Sequence, residues 1–128
     1  MRAVVKACAG FGASLVFPQA DYQNMIFVMS HMRSASTALC NVLCSHSDIS
    51  GYGETHISHG DWFPAGRVAV NLMRHCAFDR SAPFLLDKVL HNHLDESVPA
   101  GFSKARAIFL VREPIPAIAS IVHLSRKV

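Results

Sequence analysis

Apolar positions in this chain fall into two periods. Met25-Ile26-Phe27-Val28-Met29, Phe84-Leu85-Leu86 and Ala107-Ile108-Phe109-Leu110-Val111 are unbroken apolar runs, the pattern of parallel strands buried on both faces. Between and after them, Leu39, Val42 and Leu43, then Val68, Leu72, Met73 and Cys76, then Ile115, Ile118, Ala119 and Val122 recur at helical spacing. The pattern predicts a strand and loop over 25–37, a helix over 35–45, a short second strand over 49–53 and a helix over 68–78. A third strand over 84–86 ends at Asp87-Lys88, and a short helix covers 90–96. The fourth run, over 107–111, ends at Arg112. Pro114 then opens a last helix, where proline is favoured in the first turn. Residues 61–66 and 99–103 read as loops. Strands alternating with helices argue for an α/β sandwich around a mostly parallel sheet.

Residues 1–24 fit this alternation less well. Arg2 and Lys6 precede a soft apolar stretch broken by two glycines, which is a poor signal peptide. A loosely ordered leader or edge segment is expected there, with residues 25–128 forming the α/β domain. The chain has 128 residues, 51% of them hydrophobic, enough for one compact core. No apolar run approaches the length of a membrane span, and a cytoplasmic protein is expected.

Charge narrows the ligand class. The formal charge is +3 and the cations are scattered, whereas a nucleic-acid binder more often shows a basic stripe with interleaved aromatics. An anionic small ligand fits better, and no nucleic-acid partner is expected. Cys8, Cys40, Cys44 and Cys76 form no Cys-x-x-Cys pair; Cys40 and Cys44, four apart on one helix face, read as small core residues in a reducing cytosol rather than as metal ligands or a disulfide. His56 with His59, or His91 with His93, lacks further ligands at zinc-site spacing, so no metal is expected.

The candidate chemistry sits where apolar runs end. After the first run comes Met32-Arg33-Ser34-Ala35-Ser36-Thr37, a small, hydroxyl-rich loop with one cation that leads into a helix. Strand, small-residue loop and helix make a phosphate cradle, because loop N–H groups and the positive end of the helix dipole converge. Glu54, Lys88 and Arg112 interrupt the ends of the other runs. In open parallel sheets the ligand lies beyond the carboxyl ends of the strands, so Arg33, Glu54, Lys88 and Arg112 together read as one site. For Lys88 the alternative is an ion pair with Asp87 or Glu96. His31, His56 and His91 are candidates for supporting roles.

The loop at 29–39 resembles the phosphosulfate-binding loop of the sulfotransferase family. Ile108-Phe109-Leu110-Val111-Arg112-Glu113-Pro114, with Ser120 following, resembles that family's 3′-phosphate motif. Gly51-Tyr52-Gly53-Glu54-Thr55-His56 is similar to the segment carrying the catalytic glutamate in the tyrosylprotein and bacterial branches, and Leu86-Asp87-Lys88 to their lysine segment. The resemblance implies a P-loop NTPase-like sandwich. It also implies 3′-phosphoadenosine 5′-phosphosulfate (PAPS) as sulfuryl donor, a hydroxyl or amine acceptor, and 3′,5′-adenosine bisphosphate (PAP) as product. It assigns catalysis to Glu54, Lys88 and Arg33, and cofactor binding to Arg33, Ser34, Ala35, Ser36, Thr37, Arg112 and Ser120. Ala35 stands where the loop usually has glycine. Family members continue well beyond the second motif, so an incomplete domain is expected, and a non-catalytic nucleotide-binding remnant is one alternative. The other is a P-loop kinase or NTPase, disfavoured by the lack of Gly-x-x-x-x-Gly-Lys-Ser/Thr.

Overall fold

A computed structural model describes residues 2–90 and 98–125. Its four strands are β1 (Met25–Ser30), β2 (Ile49–Ser50), β3 (Phe84–Leu90) and β4 (Arg106–Leu110), and its four helices are α1 (Arg2–Val16), α2 (Ser36–Cys44), α3 (Pro64–Arg74) and α4 (Pro114–Ser125). The sheet order is β2-β3-β1-β4, and every pairing is parallel. Among the described residues, no helix is long and apolar enough to cross a membrane.

The chain moves outward from β1 to β2 through α2, then back to β3 through α3. Right-handed crossovers running in opposite directions place their helices on opposite faces of the sheet. The two cores follow this division. Met25, Phe27, Leu85 and Val89 pack with Val68, Ala69 and Leu72 of α3, while Val28 and Leu86 pack with Cys40 of α2. Strand alternation therefore sends Asp87 towards the α3 layer and Lys88 towards the α2 layer.

The segment expected as a loosely ordered leader or edge segment is helical over Arg2–Val16. α1 packs along α3 through small residues: a Cβ added at Gly66 would lie 1.9 Å from the Gly10 carbonyl oxygen, so the two backbones nearly touch. Ala13 is buried, and Ser14 donates to the Gly10 carbonyl at 3.0 Å. The two glycines that made the stretch a poor signal peptide are Gly10 and Gly12, and the first of them makes this close approach possible.

Other boundaries shift for identifiable reasons. α3 begins at Pro64, four residues before the expected start, because proline is pre-set for the first helical position. It ends at Arg74 because Cys76 turns left-handed, with φ of 54°. The Ala77 N–H then reaches the Leu72 carbonyl at 2.9 Å and the Cys76 N–H reaches that of Met73 at 3.2 Å, a Schellman closure made without glycine. β3 continues through Asp87 and Lys88 to Leu90, so neither residue is a strand end. The rest of the short helix expected over 90–96 lies outside the described residues. The loop expected over 99–103 contains a 3₁₀ turn, Ala100–Lys104. β4 is an edge strand with Ile108 and Phe109 exposed. On α4 the expected apolar face is likewise open at Ile115 and Ile118, and Ala117 is the buried residue.

Candidate functional site

Parallel pairing brings the carboxyl ends of three strands level: Ser30 of β1 lies opposite Leu90 of β3 and Leu110 of β4. The loops after β1 and β4 therefore leave the same edge side by side. Between them and β3 lies an open cavity of about 430 Å³, lined by Arg33, Ala35, Ser36, Thr37, Lys88 and Arg112 with Met32 and Leu90. Six of the sequence-predicted site residues thus share one cavity wall.

The β1–α2 loop takes the shape of an anion cradle. Arg33 and Ala35 have φ of 62° and 66°, on either side of Ser34, and such alternation turns successive N–H groups towards one concavity. Ala35 is the residue before α2, and the first-turn N–H groups of a helix have no intrahelical acceptor. Ser34 is buried, and its Oγ has no hydrogen-bond partner among the described residues. An orphaned hydroxyl beside free amides and two arginines fits a phosphate or sulfate group.

The left-handed conformation at Ala35 has a consequence for stability. A left-handed non-glycine residue costs about 1–2 kcal/mol, partly offset by the greater entropy that glycine loses on folding. Ala35 is exposed, so its methyl contributes little packing. Ala35→Gly is expected to stabilise the fold by about 0.5–1 kcal/mol, read as a higher denaturant midpoint at unchanged slope. An unchanged or lower midpoint would contradict strain at this position.

The two ends of the site are joined directly. Arg33 Nε donates to Ser120 Oγ at 2.8 Å, and Arg112 donates through a terminal guanidinium nitrogen to the Arg33 carbonyl at 2.9 Å. The Arg112 N–H donates to His31 Nε2 at 3.0 Å. That leaves His31 Nδ1 to carry the proton, donated to the Met32 carbonyl at 2.9 Å. His31 therefore clamps the β4 loop onto the β1 loop. Among the described residues, both arginines keep unused donors, and the Ser120 hydroxyl has its own proton to donate.

Glu54 reaches the same edge by a climb. β2 ends at Ser50 opposite Leu85, five positions short of the end of β3. The chain then runs up beside β3: Lys88 N–H donates to the Gly53 carbonyl at 3.1 Å, and Thr55 N–H donates to Asp87 Oδ1 at 2.9 Å. Held on both sides, Glu54 places Oε2 3.6 Å from Lys88 Nζ and Oε1 3.3 Å from His56 Nδ1. Lys88 thus pairs with Glu54, and not with the neighbouring Asp87.

Asp87 is the residue that sequence reasoning missed. It is buried among apolar neighbours on the α3 side. Its second oxygen lies 3.2 Å from Nε2 of buried His59, whose Nδ1 is 3.3 Å from the Tyr22 hydroxyl. Because a carboxylate only accepts, His59 Nε2 donates, and with a neutral ring Tyr22 donates to Nδ1. The available signal was an acid inside an apolar run, which requires a buried partner. His59, considered with His56 as a ligand pair, is committed to this chain. Groups of three or more metal-ligating side chains are absent among the described residues.

The cysteines behave as thiols. Burial pushes the Cys44 thiol up to about 11 and raises that of Cys40, against an opposing pull from Lys88. No disulfide forms among the four.

No family model, no curated protein and no solved structure matches this chain.

Proposed function

We propose that this chain binds PAPS and PAP and that the cavity is the site of a sulfotransferase. The observation that carries the reading is the Arg33–Ser120 hydrogen bond, with Arg112 on the Arg33 carbonyl. It joins the two segments whose sequences resemble phosphosulfate and 3′-phosphate motifs into one anion-facing surface. The β1–α2 loop amides, Ser34, Ser36 and Thr37 would hold the 5′ end of the nucleotide, and Arg112 with Ser120 its 3′-phosphate. Bound PAPS would supply the sulfuryl group, and a hydroxyl or amine acceptor would receive it. Among the described residues, Glu54 is a carboxylate beside Lys88 of β3, suited to take the acceptor's proton. Lys88 and Arg33 present cations where charge grows on the leaving phosphate, as preorganised donors do in other transfers. The magnesium-dependent kinase alternative is less well supported, because Asp87 turns to the opposite face of the sheet from the loop.

Calorimetric titration with PAP, beside ATP with Mg²⁺, tests the reading. PAP is expected to bind without metal. Arg33→Ala and Arg112→Ala should each weaken binding by about tenfold or more, the worth of a hydrogen bond to a charged group. A folded chain that ignores PAP, or that prefers Mg²⁺-ATP, would overturn it.

A further inference from the structure

On the far side of the molecule, α1 is turned inside out relative to an ordinary surface helix. Its small residues face α3, and its large apolar residues face solvent. Val4 is 65% exposed and Leu15 71%, and Val5, Phe11 and Val16 are exposed with them, as is Cys8. At 100° per residue these six positions fall within a single sector of about 140°. An amphipathic surface helix normally turns such a sector inward.

The margins of the sector point to its occupant. Beside it stands Trp62, the chain's only tryptophan, 77% exposed, and with Phe63 it completes an apolar trough of about 510 Å³ against Ala3, Val4, Ala7, Cys8 and Phe11. Phe63 is fixed there by a ring contact with Phe11 at 4.9 Å between centroids. Cations stand alongside: Lys6 borders one recess with Trp62 and Asp61 and another with Arg67 and Arg74. Among the described residues α1 carries no acid, and the nearby Asp61 is taken up by Arg67. A protein interface of useful size needs a hydrogen bond about every 100–200 Å², yet the sector offers no side-chain donor or acceptor beyond one thiol. A bilayer needs none. An apolar sector with an aromatic at its margin and cations alongside is the composition of a helix that lies in a lipid interface.

We propose that α1 and Trp62 form a docking face for the surface of a membrane containing anionic lipid. The apolar sector enters the acyl boundary, Trp62 sits at headgroup level, and Lys6 reaches lipid phosphates. The face is independent of the cavity at the carboxyl edge of the sheet, so it stands or falls apart from the proposed sulfuryl transfer.

Flotation of the full chain with phosphatidylcholine vesicles, with and without phosphatidylserine, tests the face, and Trp62 emission gives a second reading. The chain should float with the phosphatidylserine vesicles, with a blue shift in its emission, and less with phosphatidylcholine alone. The double variant Val4→Asp/Leu15→Asp changes two exposed positions, so its melting should match the parent while partitioning falls by about tenfold or more. Lys6→Gln should reduce partitioning into the charged vesicles by about fivefold. Absence of flotation and blue shift on both vesicles would overturn the proposal. So would self-association in sedimentation that the double variant abolishes, since the face would then belong to a second copy. Equal binding to both vesicles would overturn the preference for anionic lipid.

Discussion

Asp87→Ala should destabilise the protein by on the order of 2–6 kcal/mol, because two buried donors lose their acceptor. The substitution removes the acceptor of two buried donors, the Thr55 N–H at 2.9 Å and His59 Nε2 at 3.2 Å. Each donor left without a partner costs about 1–3 kcal/mol, and neither is near enough to solvent for water to replace the carboxylate. Domains of this kind have a total stability of about 5–15 kcal/mol, so the variant should be close to unfolding at ambient temperature. Asp87→Asn distinguishes lost hydrogen bonding from lost volume. Its amide oxygen can still accept from Thr55, and its NH₂ can donate to His59 once that ring shifts its proton to Nδ1, with Tyr22 then accepting. The asparagine variant should therefore lose about half as much or less. Equal losses in the two variants, measured by denaturant unfolding, would show that hydrogen bonding through His59 is not what Asp87 supplies.

Lys88→Ala should leave the fold standing and remove most of the proposed activity. Lys88 has its ammonium 3.6 Å from Glu54 and lines the cavity opposite the β1–α2 loop. In the proposed reaction it would stand, with Arg33, where charge grows on the leaving phosphate. Removing one well-placed donor to a developing anion costs about 3 kcal/mol in barrier, or roughly 10²–10³ in kcat. PAP release from PAPS under single-turnover conditions should slow by that factor, and the affinity for PAP should change far less. A variant with the parent's rate would take Lys88 out of the mechanism. A variant with the parent's rate constant but weakened PAP affinity would make it a binding residue only.

These two neighbours illustrate what separates local from tertiary information. Both were visible as charges at an apolar run, and both were read as the end of that run. β3 instead continues three residues beyond Asp87 to Leu90. Alternation across the sheet then gives the two residues opposite duties, one in the core against His59 and one in the cavity against Glu54. No feature of Leu86-Asp87-Lys88 by itself says that a loop from β2 climbs alongside to meet both. The left-handed turn at Cys76 was hidden for a related reason. Ala77 and Phe78 continue the apolar pattern of α3, but they serve the core after the helix has closed.

The sequence by itself determined the alternation of strands and helices from residue 25 onward, because unbroken apolar runs and 3.6-residue spacing are local patterns, although the run in β4 proved exposed. It also marked the β1–α2 loop and Arg112, where small or charged residues interrupt apolar runs. Tertiary structure alone decided three things. Strand order set β1 between β3 and β4, which brought Arg33 to Ser120 across 87 residues. The five-position offset of β2 against β3 set how far Glu54 must climb to reach Lys88. The glycine contact between α1 and α3 turned the large residues of α1 outward. Each depends on which surfaces meet, and the free energy that selects those meetings comes from pairs of segments too far apart for any local pattern to register.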